Sequence, residues 1–291
     1  MSDALTYVTA YGQDDGLRAS LNALVGEAFG IDFEPWYQQG HWDDHYTPHS
    51  LVADGRVVAN VSTTTMMLLW QGVPRRAVQL GTVVTAPVYC GRGLAADLMA
   101  RVLARCRAEC DFLFLFAHEG VTSFYPRFGF EPLGESRFVA TVQPRNTRLG
   151  LRQLNLDNED DMRLTDRLVR ARHPVSQTLS AIGNDGLLWF HLLNSFSHTL
   201  WYAPEEDCLL VCECQGDTLL LHDVLCPHGV DLPRLLPSIL PEGVTRVEFG
   251  FTPDWPVDSM EIEPLADNGT LFLLPVTAMD RPFRFPATAQ S

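Results

Sequence analysis

The sequence predicts an α/β (α+β) fold built on a mixed central sheet, and it predicts this arrangement twice along the chain. Runs rich in β-branched residues follow one another as a meander in residues 50–85. A glycine-rich turn then leads into an apolar-periodic helix, and a continuous apolar run of strand length follows that helix. Strand, helix and strand in this order imply a parallel βαβ step inside a mixed sheet.

In the first half, the hairpin is the clearest element because Asp54-Gly55 suits a type I′ turn between two β-branched runs. Residues 31–49 are aromatic, acidic and rich in His, and they favour either a helix or an ordered loop. The other predicted elements are strands at 6–11, 50–53, 56–69, 77–85 and 112–117, helices at 17–29, 94–106 and 122–128, and closing strands at 130 and 138–142.

The second half repeats this order of elements without obvious residue identity, which predicts a topological repeat of about 140 residues. The polar residues 143–150 are the predicted linker, so that 1–142 and 151–291 form two tandem domains. The predicted elements of the second domain are strands at 151–154, 201–203, 208–214, 218–224, 244–251 and 271–276, and helices at 157–169 and 232–240.

Composition excludes several classes of protein. The 291 residues are 46% apolar and 20% charged, which is typical of a globular protein. The formal net charge of −15 disfavours nucleic acid and anionic membranes as partners and favours cationic small molecules. The sequence shows no signal peptide and no apolar run of membrane-helix length, and its seven cysteines are scattered. A cytoplasmic location with reduced thiols is therefore predicted.

Residues 81–98 give the strongest indication of chemistry. A predicted strand ends in a loop with Gly91 and Gly93, and a helix begins at once. The free N–H groups and the dipole at such a helix N-terminus favour an anion, most often phosphate. Arg92 can add a bidentate contact to an oxyanion. A tight turn without any ligand would use the same two glycines.

Two motifs carry a family resemblance. Residues 83–95, Val-x-Thr-x-Pro-x-Tyr-x-Gly-Arg-Gly-Leu-Ala, resemble the acetyl-CoA loop of the GCN5-related N-acetyltransferase (GNAT) superfamily, usually written Gln/Arg-x-x-Gly-x-Gly/Ala. Residues 123–132 are similar to the second signature of that superfamily, a short helix ending in Tyr-x-x-Phe-Gly-Phe. The resemblance covers about residues 6–142. It implies a mixed sheet of GNAT type, followed by a degenerate second GNAT-like domain without a cofactor loop.

The most similar subgroup is the enhanced-intracellular-survival type of aminoglycoside acetyltransferase. The resemblance lies in Val-x-x-x-Pro-x-x-x-x-Arg-Gly-Leu, in His118-Glu119-Gly120 before Tyr125, and in the second acetyltransferase-like domain. Members of that subgroup carry a third, sterol-carrier-like domain, which we do not expect here. Their terminal carboxylate acts as the base, and we do not transfer that role to Ser291.

The resemblance implies roles for individual residues, with acetyl-CoA as the acyl-donor substrate. Tyr125 would be the general acid that protonates the leaving thiolate of CoA, although it can also be a packed aromatic residue. Cys90 stands at the Gln/Arg position, where it keeps the backbone N–H but supplies no charge. The residues expected to bind acetyl-CoA are Val83, Val84 and Thr85 along the pantetheine arm, and Gly91, Arg92, Gly93, Leu94, Ala95 and Ala96 at the pyrophosphate.

The general base stays open, because Gln79 stands near the place of a typical family Glu and cannot act as a base. The candidates are His118, Glu119, His41, His45, Asp43 and Asp44. Residues 33–49 would form the acceptor pocket, in which aromatic faces and carboxylates receive a cationic primary amine. The other interpretation of these residues is a surface helix with buried aromatic side chains.

Three functions remain open at the level of sequence: an N-acetyltransferase acting on a small primary amine, a catalytically weak acetyl-CoA sensor, and an acetyltransferase acting on a protein N-terminus or lysine. We favour the first, with direct attack in a ternary complex, because both the loop and Tyr125 are present. A homodimer is an expectation from the family alone.

No metal is expected. The residues that suggest zinc lack a Cys-x-x-Cys knuckle, and Cys-x-Cys on a strand points both thiols to one face, so packing is the preferred interpretation. These residues are Cys212, Cys214, Cys226, His222 and His228.

Overall fold

The computed structural model describes residues 4–145, 149–256, 260–266 and 269–290. The elements of the first half are β1 (Thr6–Thr9), α1 (Asp15–Phe29), α2 (Glu34–Gln38), β2 (Tyr46–Ala53), β3 (Arg56–Trp70), β4 (Val73–Thr85), α3 (Leu94–Cys106), β5 (Phe112–Ala117), β6 (Glu131–Leu133) and β7 (Ser136–Thr141). Those of the second half are β8 (Arg152–Gln153), α4 (Glu159–Ala171), β9 (Leu179–Ile182), α5 (Asp185–Asn194), β10 (Leu200–Ala203), β11 (Cys208–Gln215), β12 (Thr218–Leu225), α6 (Leu232–Ile239), β13 (Arg246–Phe249), β14 (Met260–Pro264) and β15 (Thr270–Leu274).

The strands form two mixed sheets. The first runs β1-β2-β3-β4-β5-β15-β6, with β9 added beside β3, and the second runs β8-β10-β11-β12-β13-β7-β14. The two orders correspond position by position, and the parallel pair has the same place in both: β4 with β5, and β12 with β13. The predicted mixed α/β fold with two similar halves is therefore confirmed.

Each sheet takes one strand from the other half of the chain. β7, which contains most of the predicted closing strand of the first domain, pairs with β13 and β14 in the second sheet. β15, predicted as a strand of the second domain, lies between β5 and β6 in the first sheet. The prediction that residues 138–142 close the sheet of the first half is therefore wrong, because an apolar run identifies a strand but not its neighbours.

The predicted domain boundaries are not tested by the arrangement of the two sheets. The division into 1–142, 143–150 and 151–291 stays a prediction, and the exchanged strands cross it in both directions. Residues 1–3 of the first predicted domain, residues 146–148 of the predicted linker and Ser291 lie outside the described residues.

The first sheet is covered by helices on both faces. Val57 of β3 packs in one cluster with α1, and Val58 packs in another with α3, as the alternation of side chains along a strand requires. Helices α4 and α5 share the cluster of α1. The two halves therefore share a hydrophobic core on the α1 face.

Several predicted boundaries move. Residues 31–49 contain α2 and the start of β2, so neither a single helix nor a single loop describes them. The turn between β3 and β4 lies at Gln71 and Gly72, whose φ angles are 51° and 77°, and β4 therefore starts before residue 77. The sequence analysis missed α5 because its residues are apolar on nearly all sides and show no amphipathic stripe.

Among the helices of the described ranges, none combines the length and the apolar character that a membrane crossing requires.

Candidate active site

β4 and β5 separate after a short parallel pairing. Residues 77–79 of β4 face residues 112–114 of β5, and their paired register ends there. At the same place the register of β4 against β3 skips residues 82–83, and Thr82 has a φ of 49°. A bulge of this kind turns and twists a strand. It leaves a cleft between residues 80–85 and the end of β5.

A buried polar network joins the strands around the bulge. The phenol of Tyr46 is hydrogen-bonded to the hydroxyl of Ser62 at 2.7 Å. The side-chain amide of Asn60 donates to Ser62 Oγ and to the backbone oxygen of Thr82, both at 2.9 Å. Ser50 donates to Asn60 Oδ1 at 2.8 Å. Burial raises the pKa of Tyr46 to about 12, so this phenol stays neutral and acts only through hydrogen bonds.

The glycine-rich loop leads directly into α3 and leaves the N-terminus of that helix open. Gly91 and Gly93 have φ angles of 77° and 78°, and no described atom lies within 4 Å of the place where a Cβ would stand. Gly93 is the N-cap, and the backbone N–H of Asp97 donates to its oxygen at 3.0 Å. The N–H groups of residues 94–96 precede this first helical bond, so they are free for an anionic ligand.

Two groups of the loop, the backbone N–H of Cys90 and the side chain of Arg92, are engaged in contacts within the loop. The backbone N–H of Cys90 donates to the oxygen of Pro87 at 3.2 Å, so it is already engaged in a 3-10 turn. The guanidinium of Arg92 donates to the oxygen of Val88 at 3.1 Å, and its Cζ lies 4.6 Å from the centre of the Tyr89 ring. Arg92 would have to leave these contacts to bind a phosphate.

A cavity of about 600 Å³ extends from the cleft to the α1 face of the sheet, which is a size that accommodates a small molecule. Its walls come from the end of α1, from α2, from the strands at the cleft, and from α5 of the second half. The lining residues are Ala28, Phe29, Ile31, Phe33, Trp36, Tyr46, Leu80, Gly81, Thr82, Val83, Phe116, His118, Val121, Tyr125, Leu187 and Phe190.

Tyr125 and His118 both line this cavity. Tyr125 is only 5% exposed, and its ring centre lies 6.5 Å from that of Phe130 and 5.8 Å from that of Phe272 on the exchanged strand β15. Burial raises the pKa of Tyr125, so its phenol is protonated at neutral pH and available as a proton donor. His118 is exposed and follows directly on β5. Two of the three predicted catalytic residues therefore line the same cavity.

Glu119, the third predicted catalytic residue, is exposed and starts the 3-10 turn Glu119–Val121. It is not among the described residues that line the cavity. The turn that directs His118 toward the cavity separates the two adjacent side chains. His118 is therefore the better placed of the two as a base.

The other four base candidates are not among the described residues that line the cavity. The ring of His41 stacks on Trp189 with 4.3 Å between centres, and burial lowers the pKa of His41. Asp43 Oδ1 accepts the backbone N–H of His45 at 2.9 Å. Asp44 and His45 line a separate cavity of about 410 Å³, which α3 also lines. The aromatic part of residues 33–49 thus borders the main cavity, whereas its acidic residues are not among the described lining residues. The assignment of this segment to an acceptor pocket stays a prediction.

Sequence reasoning missed the contribution of the second half. Leu187 and Phe190 of α5 complete one wall of the cavity. The indole Nε1 of Trp36 on α2 donates to the backbone oxygen of Gly186 at 2.7 Å, which fixes α5 against this wall. The apolar run 187–193 was the available signal, but only tertiary packing shows what it covers.

Metal binding finds no support in the part of the chain that the structure describes, where no group of three or more His, Cys, Asp or Glu residues is arranged to hold an ion. Cys212 lies in the core of the second half, and Cys226 Sγ is 3.4 Å from His228 Nδ1.

Comparison with known proteins agrees with this geometry. A family model described as an acetyltransferase (GNAT) domain matches residues 14–133. A search of the curated proteins finds no match.

Several solved structures resemble nearly the whole chain, including the following three. One is a conserved protein of unknown function from Enterococcus faecalis, described as a probable N-acyltransferase, with 12% identity, a TM-score of 0.61, and coverage of 93% of this chain and 72% of that one. A GCN5-related N-acetyltransferase from Kribbella flavida has 18% identity, a TM-score of 0.58 and coverage of 93% and 71%. Eis1 from Mycobacterium abscessus has 13% identity, a TM-score of 0.58 and coverage of 93% and 72%. At these identities the likeness concerns the fold.

Proposed function

Residues 14–133 are a GNAT acetyltransferase domain, and from this premise we propose that the protein transfers an acetyl group from acetyl-CoA to a primary amine by direct attack in a ternary complex. The observation that carries the proposal is the cleft between β4 and β5. Residues 80–83 of β4 line the cavity together with Tyr125 and His118, and the loop that follows β4 leads to the open N-terminus of α3.

The donor would bind along the loop and the cleft. The N–H groups of residues 94–96 would receive the pyrophosphate, and the helix dipole would add to the attraction. Residues 83–85 lie beyond the end of the β4–β5 pairing, so their backbone can pair with the pantetheine arm as an added strand. This arrangement leads the thioester to the bulge at Thr82.

The chemistry follows from the two side chains in the cavity. The amine nitrogen attacks the thioester carbonyl carbon, and the C–S bond breaks when the tetrahedral intermediate forms the amide. Tyr125 donates a proton to the leaving sulfur, and His118 accepts a proton from the nitrogen, directly or through a water molecule. Holding both substrates in one cleft supplies the larger part of the rate enhancement.

A thermal-shift titration with acetyl-CoA followed by a thiol-release assay over mixed amines tests the proposal. Ligand at 100 times its dissociation constant adds about 2.7 kcal/mol of stability, which corresponds to a shift of several degrees. Ala95→Glu places a carboxylate at the open helix N-terminus and should remove the shift. Ala100→Glu, on an exposed position of the same helix, is the matched control. A wild-type protein that shows no shift at millimolar acetyl-CoA contradicts the proposal.

The structure also favours a second candidate, a catalytically weak acetyl-CoA sensor. The observation behind it is the engaged N–H of Cys90 together with the folded-back Arg92, which reduces the number of groups ready to hold the pyrophosphate. A thermal shift without thiol release across the amine panel would favour the sensor over the enzyme.

A further inference from the structure

The cavity beside Tyr125 presents mostly apolar surface, with polar groups at Tyr46, Thr82, His118 and Tyr125. Among the described residues that line it, the titratable ones are His118, Tyr46 and Tyr125, and none carries a carboxylate or a guanidinium. The chain as a whole has 36 acidic residues and a net charge of −15. The uncharged lining is therefore a local property of this site and does not reflect a shortage of acidic residues.

The acidic residues nearest in sequence to the aromatic wall are engaged elsewhere. Glu34 of α2 accepts from Arg18 Nε at 3.1 Å and forms an ion pair with it. Asp32 accepts from the side-chain amide of Asn22 at 2.7 Å. Asp43 accepts from the backbone of the following turn. None of the carboxylates of this segment is among the described groups that line the cavity.

The aromatic wall is preformed. The ring centres of Phe33, Trp36 and Phe190 lie 5.6–5.9 Å from one another in tilted and edge-on contacts. Such contacts fix the rings in one arrangement, and the bond from Trp36 to α5 holds the wall in place. A rigid apolar wall of this kind favours an apolar ligand body of comparable shape.

The aromatic wall disfavours a charged amine. Moving an ammonium group into apolar surroundings without a carboxylate is costly, so burial favours the neutral amine. The neutral amine is also the nucleophile, and His118 is placed to take the single proton that it loses. Each further ammonium on the acceptor would meet the same penalty, and no carboxylate among the described lining residues would offset it.

We infer that the acceptor is a lipophilic monoamine, with one primary amine on an apolar body and no second charge. This inference rests on the proposed function and narrows its acceptor from any cationic amine to this class. It differs from the sequence-based expectation of an acidic acceptor pocket, because the carboxylates of residues 33–49 do not reach the cavity.

The position of the cavity favours the amine over a long acyl chain as its occupant. The open N-terminus that would hold the pyrophosphate belongs to α3, whereas the aromatic wall lies on the opposite face with α1 and α5. Phe29 and Val121 of the lining are 42% and 45% exposed, so the cavity has its own access from solvent. The acceptor can therefore enter while the donor occupies the cleft.

A matched pair of amines provides the sharpest test. 1-Aminohexane and 1,6-diaminohexane have the same chain length and differ in the second ammonium group. With saturating acetyl-CoA and thiol release as the readout, kcat/KM should be about 100-fold or more higher for the monoamine. Equal or faster turnover of the diamine, or of an aminoglycoside, overturns the inference and leaves the proposed function standing.

A charge-insertion variant tests the lining itself. Ile31→Glu adds a carboxylate to the half-buried cavity wall and should lower the monoamine-to-diamine ratio of kcat/KM about tenfold or more. Val73→Glu, at an exposed position at the start of β4 outside the cavity, is the matched control and should leave the ratio unchanged. The acetyl-CoA thermal shift of each variant shows that its donor site is folded. An unchanged ratio in a folded Ile31→Glu protein counts against the inference.

Two further outcomes separate this inference from the proposed function. If octanoyl-CoA is used at least about tenfold better than acetyl-CoA while the amine body has no effect, the cavity holds an acyl chain and the inference is wrong. If acetyl-CoA binds but no amine releases thiol, the proposed function fails. In that case the thermal shift by 1-aminohexane against that by 1,6-diaminohexane decides the inference, and the absence of a preference for the monoamine overturns it.

Discussion

Both halves have a parallel strand pair at the same position of their sheets. The space beyond this pair is open in the first half and filled by other residues in the second half. In the first half β4 and β5 part, and the cavity with Tyr125 lies where they separate. In the second half residues 218–221 pair with residues 246–249, and residues 286–289 fill the place beyond. The same order of strands thus has an open cleft in the first half and a closed one in the second half.

The closure in the second half rests on tight contacts. The backbone N–H of Ala287 donates to the oxygen of Gly250 at 2.8 Å, and the hydroxyl of Thr288 is hydrogen-bonded to the carboxyl group of Asp223. A Cβ at Gly250 would lie 2.8 Å from the Cα of His222, so the backbones meet without space for a side chain. A pantetheine arm would have to displace this segment.

The helices that follow β4 and β12 also differ at their N-termini, which are open in α3 and capped by a side chain in α6. Gly93 caps α3 and brings no side chain to the free N–H groups. Asp231 caps α6, and its Oδ1 accepts the backbone N–H of Arg234 at 3.1 Å. An acidic cap satisfies and neutralises the end of the helix that would otherwise attract an anion. The expectation of no second acetyl-CoA site stays a prediction, and these residues are its physical reason.

The largest expected effect concerns β15, the strand of the second half that pairs within the first sheet. Phe272→Ala in β15 removes a fully buried ring that packs on Tyr125, and it should lower the free energy of unfolding by about 3–5 kcal/mol. Denaturant unfolding followed by circular dichroism measures this loss. Ile262→Ala, on β14 of the other sheet and only half-buried, is the control and should cost clearly less. Equal losses would mean that the exchanged strand is not special to the first half.

The next effect lies where the chain passes from one sheet to the other. Glu135 stands between β6 and β7, accepts the backbone N–H of Phe285 at 2.7 Å, and is almost fully buried. Burial raises the pKa of Glu135 to about 7. The folded protein therefore holds a proton that the unfolded chain releases near pH 4.5, and stability should fall by up to about 3 kcal/mol as pH rises from 4.5 to 7.

Unfolding free energies measured between pH 5 and pH 8 test this expectation. Glu135→Gln keeps the shape of the side chain without its ionisation, so its stability should change less over the same interval. A wild-type protein whose stability is constant or rises with pH while Glu135→Gln behaves identically would show that the carboxyl group does not titrate there.

Only the half that contains the proposed active site should respond to the loss of a phenol. Tyr125→Phe should lower kcat about tenfold or more, with little change in the acetyl-CoA dissociation constant, because only the proton donor is lost. Tyr202→Phe in the second half is the matched control. Unchanged turnover in Tyr125→Phe removes this residue from the acid role, and a double-reciprocal pattern of parallel lines would argue for a covalent route in place of direct attack.

The smallest effect is expected at the cap of the second half. Asp231→Ala should cost about 1 kcal/mol of stability through the lost cap, and it should not create a second binding site, because residues 286–289 still fill the cleft. Calorimetric titration with acetyl-CoA should give one site per chain before and after the change. Two sites in the variant would mean that the cap alone separates the two halves.

Local features of this molecule were predictable from the sequence, and non-local ones were not. The left-handed glycines at 91 and 93 and the start of α3 at Leu94 depend on neighbouring residues, and the sequence located them. The partners of β7 and β15 depend on pairing between distant segments, which apolar strand patterns do not specify. In the site, Tyr125 was found from its motif, whereas the wall supplied by Phe190 required the packing of α5.

Because β15 belongs to the first sheet, that sheet can be completed only late in synthesis of the chain. β5 leaves the ribosome about 150 residues before β15, and until then the edge of β5 that β15 later covers has no partner from its own sheet. Open strand edges of this kind are prone to wrong pairing and are a task for chaperones. The site at Tyr125 gains its supporting Phe272 only when β15 has been made. Nascent and prematurely terminated chains should therefore be inactive, and acetyl transfer begins only after the second half has been translated.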